Sequence, residues 1–337
     1  MKENERDVKQ SLTMVLAGDV GGTKTLLGLF DRGPARPHPL AIRAFNTAGY
    51  TALEDMIDEF RTDASIRTAS IGAACFGVAG PVFGDCAELT NGGMKIDGRQ
   101  VRERFGYERV RVLNDLEAMA YGVTVLHDSE MHRLQDGRPQ RDGNVALIAA
   151  GTGLGEALLH FVDGRLIPSP SEGGHADFAA RNAREIRLLH SLIASNGRAD
   201  VEHVVSGSGL VNIHKVTHDA PCRAVMDLEA PDAPAAISAA AMSRACASCV
   251  EALEMFVEAY GAEAGNLALR TVSTGGLFVG GGIAPKILPA LSDGRFIRHF
   301  NDKAPFEKML AAVPVNVILN SETGLLGAAV VASEIRP

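Results

Sequence analysis

Basic charge is scarce in this chain. Thirty-three lysines and arginines stand against 41 aspartates and glutamates, giving a net charge of −8 and a pI near 5.7. Nucleic acid and anionic membrane surfaces both call for a basic face, so neither is expected as the main partner. A local basic pocket for phosphate stays open. Long apolar runs are missing as well. None approaches the ~18 residues needed to span a bilayer. The opening MKENERDVKQ is charged and polar, and Asp19 breaks the apolar run after it. A secretory core of about 7–15 apolar residues is therefore not found there. Residues 1–12 read as a disordered lead-in. The five cysteines are odd in number and scattered, which points to a reducing, cytoplasmic setting. Cys246 and Cys249 form a CxxC, but no second pair and no His-x-His accompanies it. A structural zinc usually takes four ligands. The pair reads instead as two small residues on one helix face.

At 337 residues and 46% hydrophobic, the chain is long enough for two cores. One grammar occurs twice in it. Met14–Phe30 (MVLAGDVGGTKTLLGLF) and Val145–Phe161 (VALIAAGTGLGEALLHF) each place a Gly/Thr turn between two apolar runs. Both read as β-hairpins, whose turns call for glycine at positive φ. Gly21, Gly22 and Thr23, and Gly151, Thr152, Gly153, Leu154 and Gly155, exceed what an ordinary turn needs. Without side chains in the way, such tips can aim several backbone N–H groups at one anion. Two of them would grip a polyphosphate like jaws, which points to an ATP-dependent phosphotransferase. Asp19 beside the first tip would need a cation between it and phosphate, and Mg²⁺ acts in this way, often through water.

GDVGGTKT (Gly18–Thr25) misses the GxxxxGK[ST] pattern by one residue, with Thr23 in place of glycine. A P-loop NTPase, the alternative reading, requires a helix after that turn. TLLGLF reads as a strand. Elsewhere, Thr51–Ala64 reads as a helix capped by Thr51. Ala69–Val78 and Val110–Asn114 read as strands, the second leading into a helix over Leu116–Leu126. Gly33–Pro39 is expected as a surface turn, and Met131–Asn144 as an exposed excursion. Ala183–Ala194 reads as a helix burying Ile186, Leu189 and Ile193. Asp219–Pro234 reads as irregular. Ala235–Leu269 reads as a long helix with Met242 and Cys246 in its buried stripe, interrupted near Gly261 and Gly265. Leu277–Ile283 and Val315–Leu319 read as strands, and Glu322–Ile335 as a closing helix. Strands and helices alternate in both halves, so the fold class is α/β.

Asn114-Asp115 stands where a strand gives way to a helix. Asp is a favoured cap there. Ligands of open α/β sheets also bind at carboxyl ends of strands, where an Asp can accept a hydroxyl proton. Pro170–Phe178 (PSEGGHADF) folds Glu172 and His175 around two glycines, suited to one small polar ligand. Ser206–Gly209 (SGSG) and Gly280–Gly282 are further places where backbone can approach a flat ligand.

DVGGTKT, FGVAGPV with LTN, VLNDLEAMA, AAGTGLG, SEGGHADF, VEHVVSGSGL and FVGGGIAPKI together resemble the bacterial glucokinases of the hexokinase/actin-like ATPase superfamily, in family order from about Val15 to the closing helix. The resemblance implies two actin-like (ribonuclease H-like) domains flanking a cleft. The small N-terminal domain would take residues 13–125 plus 318–337, and the large C-terminal domain residues 126–317. It implies Asp115 as base for the 6-hydroxyl of glucose, and Asn91, Asn114, Glu172, His175 and Glu202 as sugar ligands. ATP would be held by Asp19, Gly21, Gly22, Thr23, Gly151, Thr152, Gly153, Gly155, Gly207, Gly280, Gly281 and Gly282. Mg²⁺ would arrive with the nucleotide, with no direct protein ligand. A homodimer is implied too, and a kinase of another hexose or sugar derivative in the same superfamily is the alternative that the resemblance leaves open. Lys24 departs from an Asn common after DVGGT. Gly92-Gly93-Met94 replaces a segment that carries a Trp in relatives, and this chain has none, so looser sugar selectivity is expected. The cysteine cluster that binds zinc in the related repressor/open-reading-frame/kinase family is absent, as is a helix-turn-helix extension.

Overall fold

The computed structural model describes residues 14–33, 35–67, 69–90 and 92–334. The expected lead-in over residues 1–12 lies outside the described residues. The chain divides into two compact units. One comprises the described residues up to His127 together with those from Asn320 onward, and the other runs from Asp128 to Leu319.

The first unit contains β1 (Met14–Val20), β2 (Lys24–Asp31), β3 (His38–Asn46), β4 (Ile71–Val78), β5 (Val82–Phe83), β6 (Cys86–Glu88), β7 (Lys95–Asp97) and β8 (Arg109–Asn114). Its main sheet has the order β3-β2-β1-β4-β8, and β5-β6-β7 form a small separate sheet. β1 pairs antiparallel with β2 and parallel with β4, and β8 extends the parallel part. The pleat sends alternate side chains of β1 to opposite faces. Leu16 and Val20 join a core with Leu53, Met56, Ile57 and Phe60 of the Leu53–Phe60 helix. Val15 and Ala17 join the other core, with Ala118 of the Asp115–Val123 helix and Leu325, Leu326, Ala328 and Ala329 of the Thr323–Glu334 helix. A sheet covered on both faces reads as an unbroken apolar run.

The Leu53–Phe60 helix starts later than expected. Its cap position is Ala52, with no side-chain capping bond, so Thr51 does not serve. Four fully buried apolar side chains, each worth about 1.5–3 kcal/mol, outweigh one absent cap of ~1 kcal/mol. The two helices on the other face nearly touch backbone to backbone. A Cβ on Gly327 would lie 1.7 Å from the Ala118 carbonyl oxygen, and one on Gly122 would lie 2.1 Å from that of Thr323. Gly327 is therefore kept for close approach despite its low helix propensity.

The second unit contains β9 (Met131–Gln135), β10 (Val145–Ala150), β11 (Leu154–Val162), β12 (Arg165–Ser171), β13 (Gly276–Gly280) and β14 (Val315–Ile318) in the order β12-β11-β10-β13-β14-β9. From β12 to β14 the pairings run antiparallel, antiparallel, parallel, parallel, the same series as β3 to β8 of the first unit. The doubled hairpin is thus the visible part of a doubled sheet.

Several expectations give way here. β9 lies inside the supposed excursion 131–144, as an antiparallel edge strand on β14. The Ala183–Asn196 helix buries Glu185, Leu188 and Leu192, while Ile186 and Ile193 are half exposed. The long helical region is two helices, Ala233–Met242 and Ala247–Thr271, bent by 105° where Arg244 takes a left-handed φ of 55°. Met242 is exposed rather than in the stripe. Gly261 and Gly265 do not interrupt the second helix. Cβ atoms there would lie 2.3 Å from the Phe296 carbonyl oxygen and 2.5 Å from that of Phe300, so the glycines let the Arg295–Asn301 helix pack close. No single helix among the described residues is long and apolar enough to cross a membrane.

Candidate active site

In the first unit, the ends of three strands bring two carboxylates together. Asp19 pairs with Gly77 across β1 and β4, and Val78 pairs with Asn114 across β4 and β8. Asp19 and Asp115 therefore stand at neighbouring carboxyl ends of a parallel sheet, the usual ligand side. Asn114, not Asp115, is the N-cap. Its Oδ1 accepts the Leu116 N–H at 2.9 Å, and its Nδ2 donates to the Gly80 carbonyl at 3.3 Å. Asp115 Oδ1 accepts the same N–H at 2.9 Å. The Asp19 side chain packs on Gly324, whose Cβ would sit 3.2 Å from Oδ2. Burial, and then the Asp115 charge, push the Asp19 carboxyl up to about 6, with Lys24 opposing. Two carboxylates that raise each other's cost of ionisation make a place suited to a cation.

The β1–β2 tip is pinned from beneath. Gly21 N–H donates to the Lys24 carbonyl at 3.1 Å, Thr47 N–H to that of Thr23 at 3.0 Å, and Thr47 Oγ1 to that of Gly21 at 2.8 Å. The expectation of positive φ fails at both tips. Gly21, Gly22, Gly151, Gly153 and Gly155 all lie outside the left-handed region. They serve approach rather than turn chirality. The strand β2 also excludes the P-loop reading, which needs a helix there. Asn91 lies outside the described residues. Beside it, Gly92 and Gly93 take φ of 107° and 66°, a conformation that needs glycine.

In the second unit, three glycine segments meet. Gly207 N–H donates to the Gly151 carbonyl at 2.9 Å, and Gly281, at φ 82°, sits against Ala150 backbone where a Cβ would lie 2.2 Å from its oxygen. SGSG opens a helix: Ser206 caps the Gly207–Thr217 helix, accepting the Gly209 N–H at 3.0 Å. An eleven-residue helix thus opens onto the tip with its N-terminal N–H groups, an anion-binding arrangement. Beside them is a cavity of about 770 Å³, lined by Gly151, Thr152, Gly207 and Gly282 together with Lys215 and Lys286. That size suits a nucleotide. Gly153, Gly155, Gly280 and Gly281 do not line this cavity; Gly153 lies against the Glu202 carboxylate and Gly155 pairs with Ala149 in the sheet.

The Glu172–His175 loop lies on the same tip. A Cβ on Gly174 would meet the Leu154 carbonyl at 2.2 Å, and Gly174 accepts the Glu202 N–H at 2.9 Å. Glu202 Oε2 accepts the Leu154 N–H at 2.8 Å, so Glu202 ties the loop to the tip. His175 Nδ1 is 3.3 Å from Oδ2 of Asp200, whose other oxygen is 2.7 Å from His203 Nδ1. Asp200 is 5% exposed. Sequence reasoning missed it, because Asp200 stands among Arg198, Glu202 and His203 and nothing in that polar run marks it as the buried member. Glu156 was missed too. Its Oε2 lies where a Cβ on Gly173 would be only 2.2 Å away. Burial and then Glu263 hold its carboxyl well above the usual range, against the pull of Arg270.

Comparison with known proteins agrees with this geometry. The sequence profile of the family described as Glucokinase matches residues 16–335. The glucokinase of Nostoc punctiforme is 36% identical over 343 residues, covering 96% of this chain and 100% of that protein. That of a Synechocystis strain is 37% identical, covering 95% and 98%. Among solved structures, a glucokinase from an Antarctic psychrotroph superposes with a TM-score of 0.86 at 27% identity, covering 96% of this chain and 99% of that one. A ROK family glucokinase from Streptomyces griseus, in complex with glucose and AMPPNP, shares the fold at a TM-score of 0.64 and 21% identity, covering 96% and 100%.

Proposed function

The chain belongs to the glucokinase family and phosphorylates glucose with ATP, and we propose that Asp115 takes the proton of the sugar's 6-hydroxyl as phosphoryl transfer proceeds. The observation that supports this is the paired placement of Asp19 and Asp115 at adjacent strand ends. In phosphoryl transfer through a loose transition state, positioning and charge stabilisation do most of the work. Asp115 orients the hydroxyl and removes its proton. Asp19 would hold the Mg²⁺ that arrives with the nucleotide, through water, and the cation's charge would offset the repulsion between the two carboxylates. The Gly21–Thr23 and Gly151–Gly155 tips bind phosphate oxygens through backbone N–H groups, and the cavity behind Gly207 and Gly282 takes the adenosine.

Asn91, Asn114, Glu172, His175 and Glu202 bind the remaining sugar hydroxyls in this reading. The Asp200 carboxylate receives the Nδ1 proton of His175, which leaves Nε2 to accept from a hydroxyl. Glu202, anchored through Oε2, links sugar occupancy to the shape of the phosphate tip. A homodimer belongs to the same proposal and is testable by analytical ultracentrifugation. The central test is Asp115→Ala. We expect turnover to fall by about 10²–10⁴-fold with glucose binding still measurable by calorimetry. Near-normal turnover would remove Asp115 as the base.

A further inference from the structure

Three thiols and an imidazole nitrogen converge beyond the C-terminal end of the Gly207–Thr217 helix. Cys222 Sγ lies 3.8 Å from Cys246 Sγ and 3.7 Å from Cys249 Sγ. His218 Nε2 lies 3.4 Å from Cys246 Sγ and 3.8 Å from Cys249 Sγ. A tetrahedral zinc with sulfur at about 2.3 Å and nitrogen at about 2.05 Å sets S···S edges of about 3.8 Å and S···N edges of about 3.6 Å. The two S···S and two S···N distances above lie within 0.2 Å of those edges. We propose that His218, Cys222, Cys246 and Cys249 form a structural Cys₃His zinc site. The CxxC, read from sequence as packing, supplies half of it.

The surroundings fit a metal better than they fit packing or oxidation. His218 Nδ1 is 2.9 Å from the His214 carbonyl, which can only accept, so Nδ1 carries the proton and the Nε2 lone pair faces the sulfurs. A second hydrogen bond that fixes the tautomer is the habit of metal-bound histidine. Cys246 occupies the N-cap position of the Ala247–Thr271 helix, without a side-chain capping bond, and Cys249 sits in its first turn, so one short backbone segment presents both sulfurs to Cys222 and His218. A disulfide would join sulfurs at about 2.05 Å and leave the third thiol and the imidazole unused. His214 stacks on the His218 ring with centroids 3.6 Å apart and lies within reach of the cluster. It backs the ligand ring, because Cys246 already completes the tetrahedron.

The position gives the metal a task. Among residues 219–232 no helix or strand is formed. That segment nevertheless supplies Leu228–Pro231 to one wall of the 770 Å³ cavity. Zinc would staple it between two helices, adding to the burial of Val225 and Leu228. Metal loss should therefore raise the KM for ATP severalfold while leaving that for glucose nearly unchanged. This last arm alone rests on the nucleotide assignment; metal stoichiometry does not.

The test is elemental analysis of the full chain, purified under reducing conditions without added metal. We expect about one zinc per chain, lost in Cys222→Ser and in His218→Ala and kept in His214→Ala. Cobalt(II) taken up by the chelated protein should give the intense visible bands of a tetrahedral thiolate site. Wild-type protein that neither carries zinc nor takes it up from a Zn²⁺ titration overturns the proposal. So does zinc retained after Cys222, Cys246 and Cys249 are all changed to serine.

Discussion

Asp19→Asn separates the stability of the first unit from its function. In the free protein the Asp19 carboxyl is raised from 3.8 to about 6, first by burial and then by Asp115. The folded chain thus holds this proton more tightly than the unfolded chain. Between pH 3.8 and about 6, stability from this group falls as pH rises, and the whole penalty is present above about 6. The shift corresponds to about 3 kcal/mol at pH 7.5 and about half of that at pH 5. An asparagine of the same shape carries no charge. The variant should therefore melt higher than the parent at pH 7.5, by about 5–10 °C for a unit of this size, with the gap narrowing at pH 5. Turnover should move the other way, falling by about 10²-fold because the cation loses its anchor. Differential scanning fluorimetry across pH, with and without Mg²⁺·nucleotide, reads the first effect, and a coupled assay reads the second. In the parent, Mg²⁺·nucleotide should raise the melting temperature more than in the variant. A variant that melts lower at pH 7.5, with an unchanged pH profile, would refute the electrostatic reasoning.

Asp200→Asn removes the charge that orients His175 while keeping its shape, and should raise the KM for glucose about tenfold with little change in that for ATP; equal changes in both would mean collapse of the loop instead. Glu156 holds its proton more tightly in the folded chain, at about 8, than in the unfolded chain, at 4.5, so wild-type stability should fall as pH rises from 4.5 to about 8 and level off above that. Glu156→Gln should flatten that decline in guanidinium melts, and an undiminished slope would assign it to another group. Gly261→Ala should destabilise by about 1–3 kcal/mol, because the clash with the Phe296 carbonyl exceeds the ~1 kcal/mol gain in helix propensity. Urea unfolding decides it: a stabilised variant would show that the Arg295–Asn301 helix gives way.

What could be read in the sequence was what burial writes there. β1, β4 and β10 are covered on both faces and appear as apolar runs. Both tips and the Asn114-Asp115 junction follow because glycines and caps punctuate those runs. β3 escaped because it is an edge strand, mostly exposed, and it begins at His38-Pro39 inside an apparent turn. β9 escaped because it is an edge strand too, with partly buried side chains that show no alternation. Gly261 and Gly265 misled because helix propensity is local, whereas their purpose is a partner helix some 35 residues on. Ile186 and Ile193 misled because Glu185, paired with Arg181, takes the buried face. His218 and Cys222 lie far from the CxxC in sequence, and only the bend at Arg244 brings the sulfurs together.

The Thr323–Glu334 helix carries a consequence for biosynthesis. It supplies Leu325, Leu326, Ala328 and Ala329 to the core beneath β1, which lies far earlier in the chain. The unit bearing Asp19 and Asp115 is therefore not closed until this helix has been synthesised. Residues 128–319, by contrast, form one uninterrupted stretch that can close on itself before the helix is made. A chain cut just before Thr323 would thus yield a sound nucleotide-side half and a half-built partner with its apolar floor uncovered.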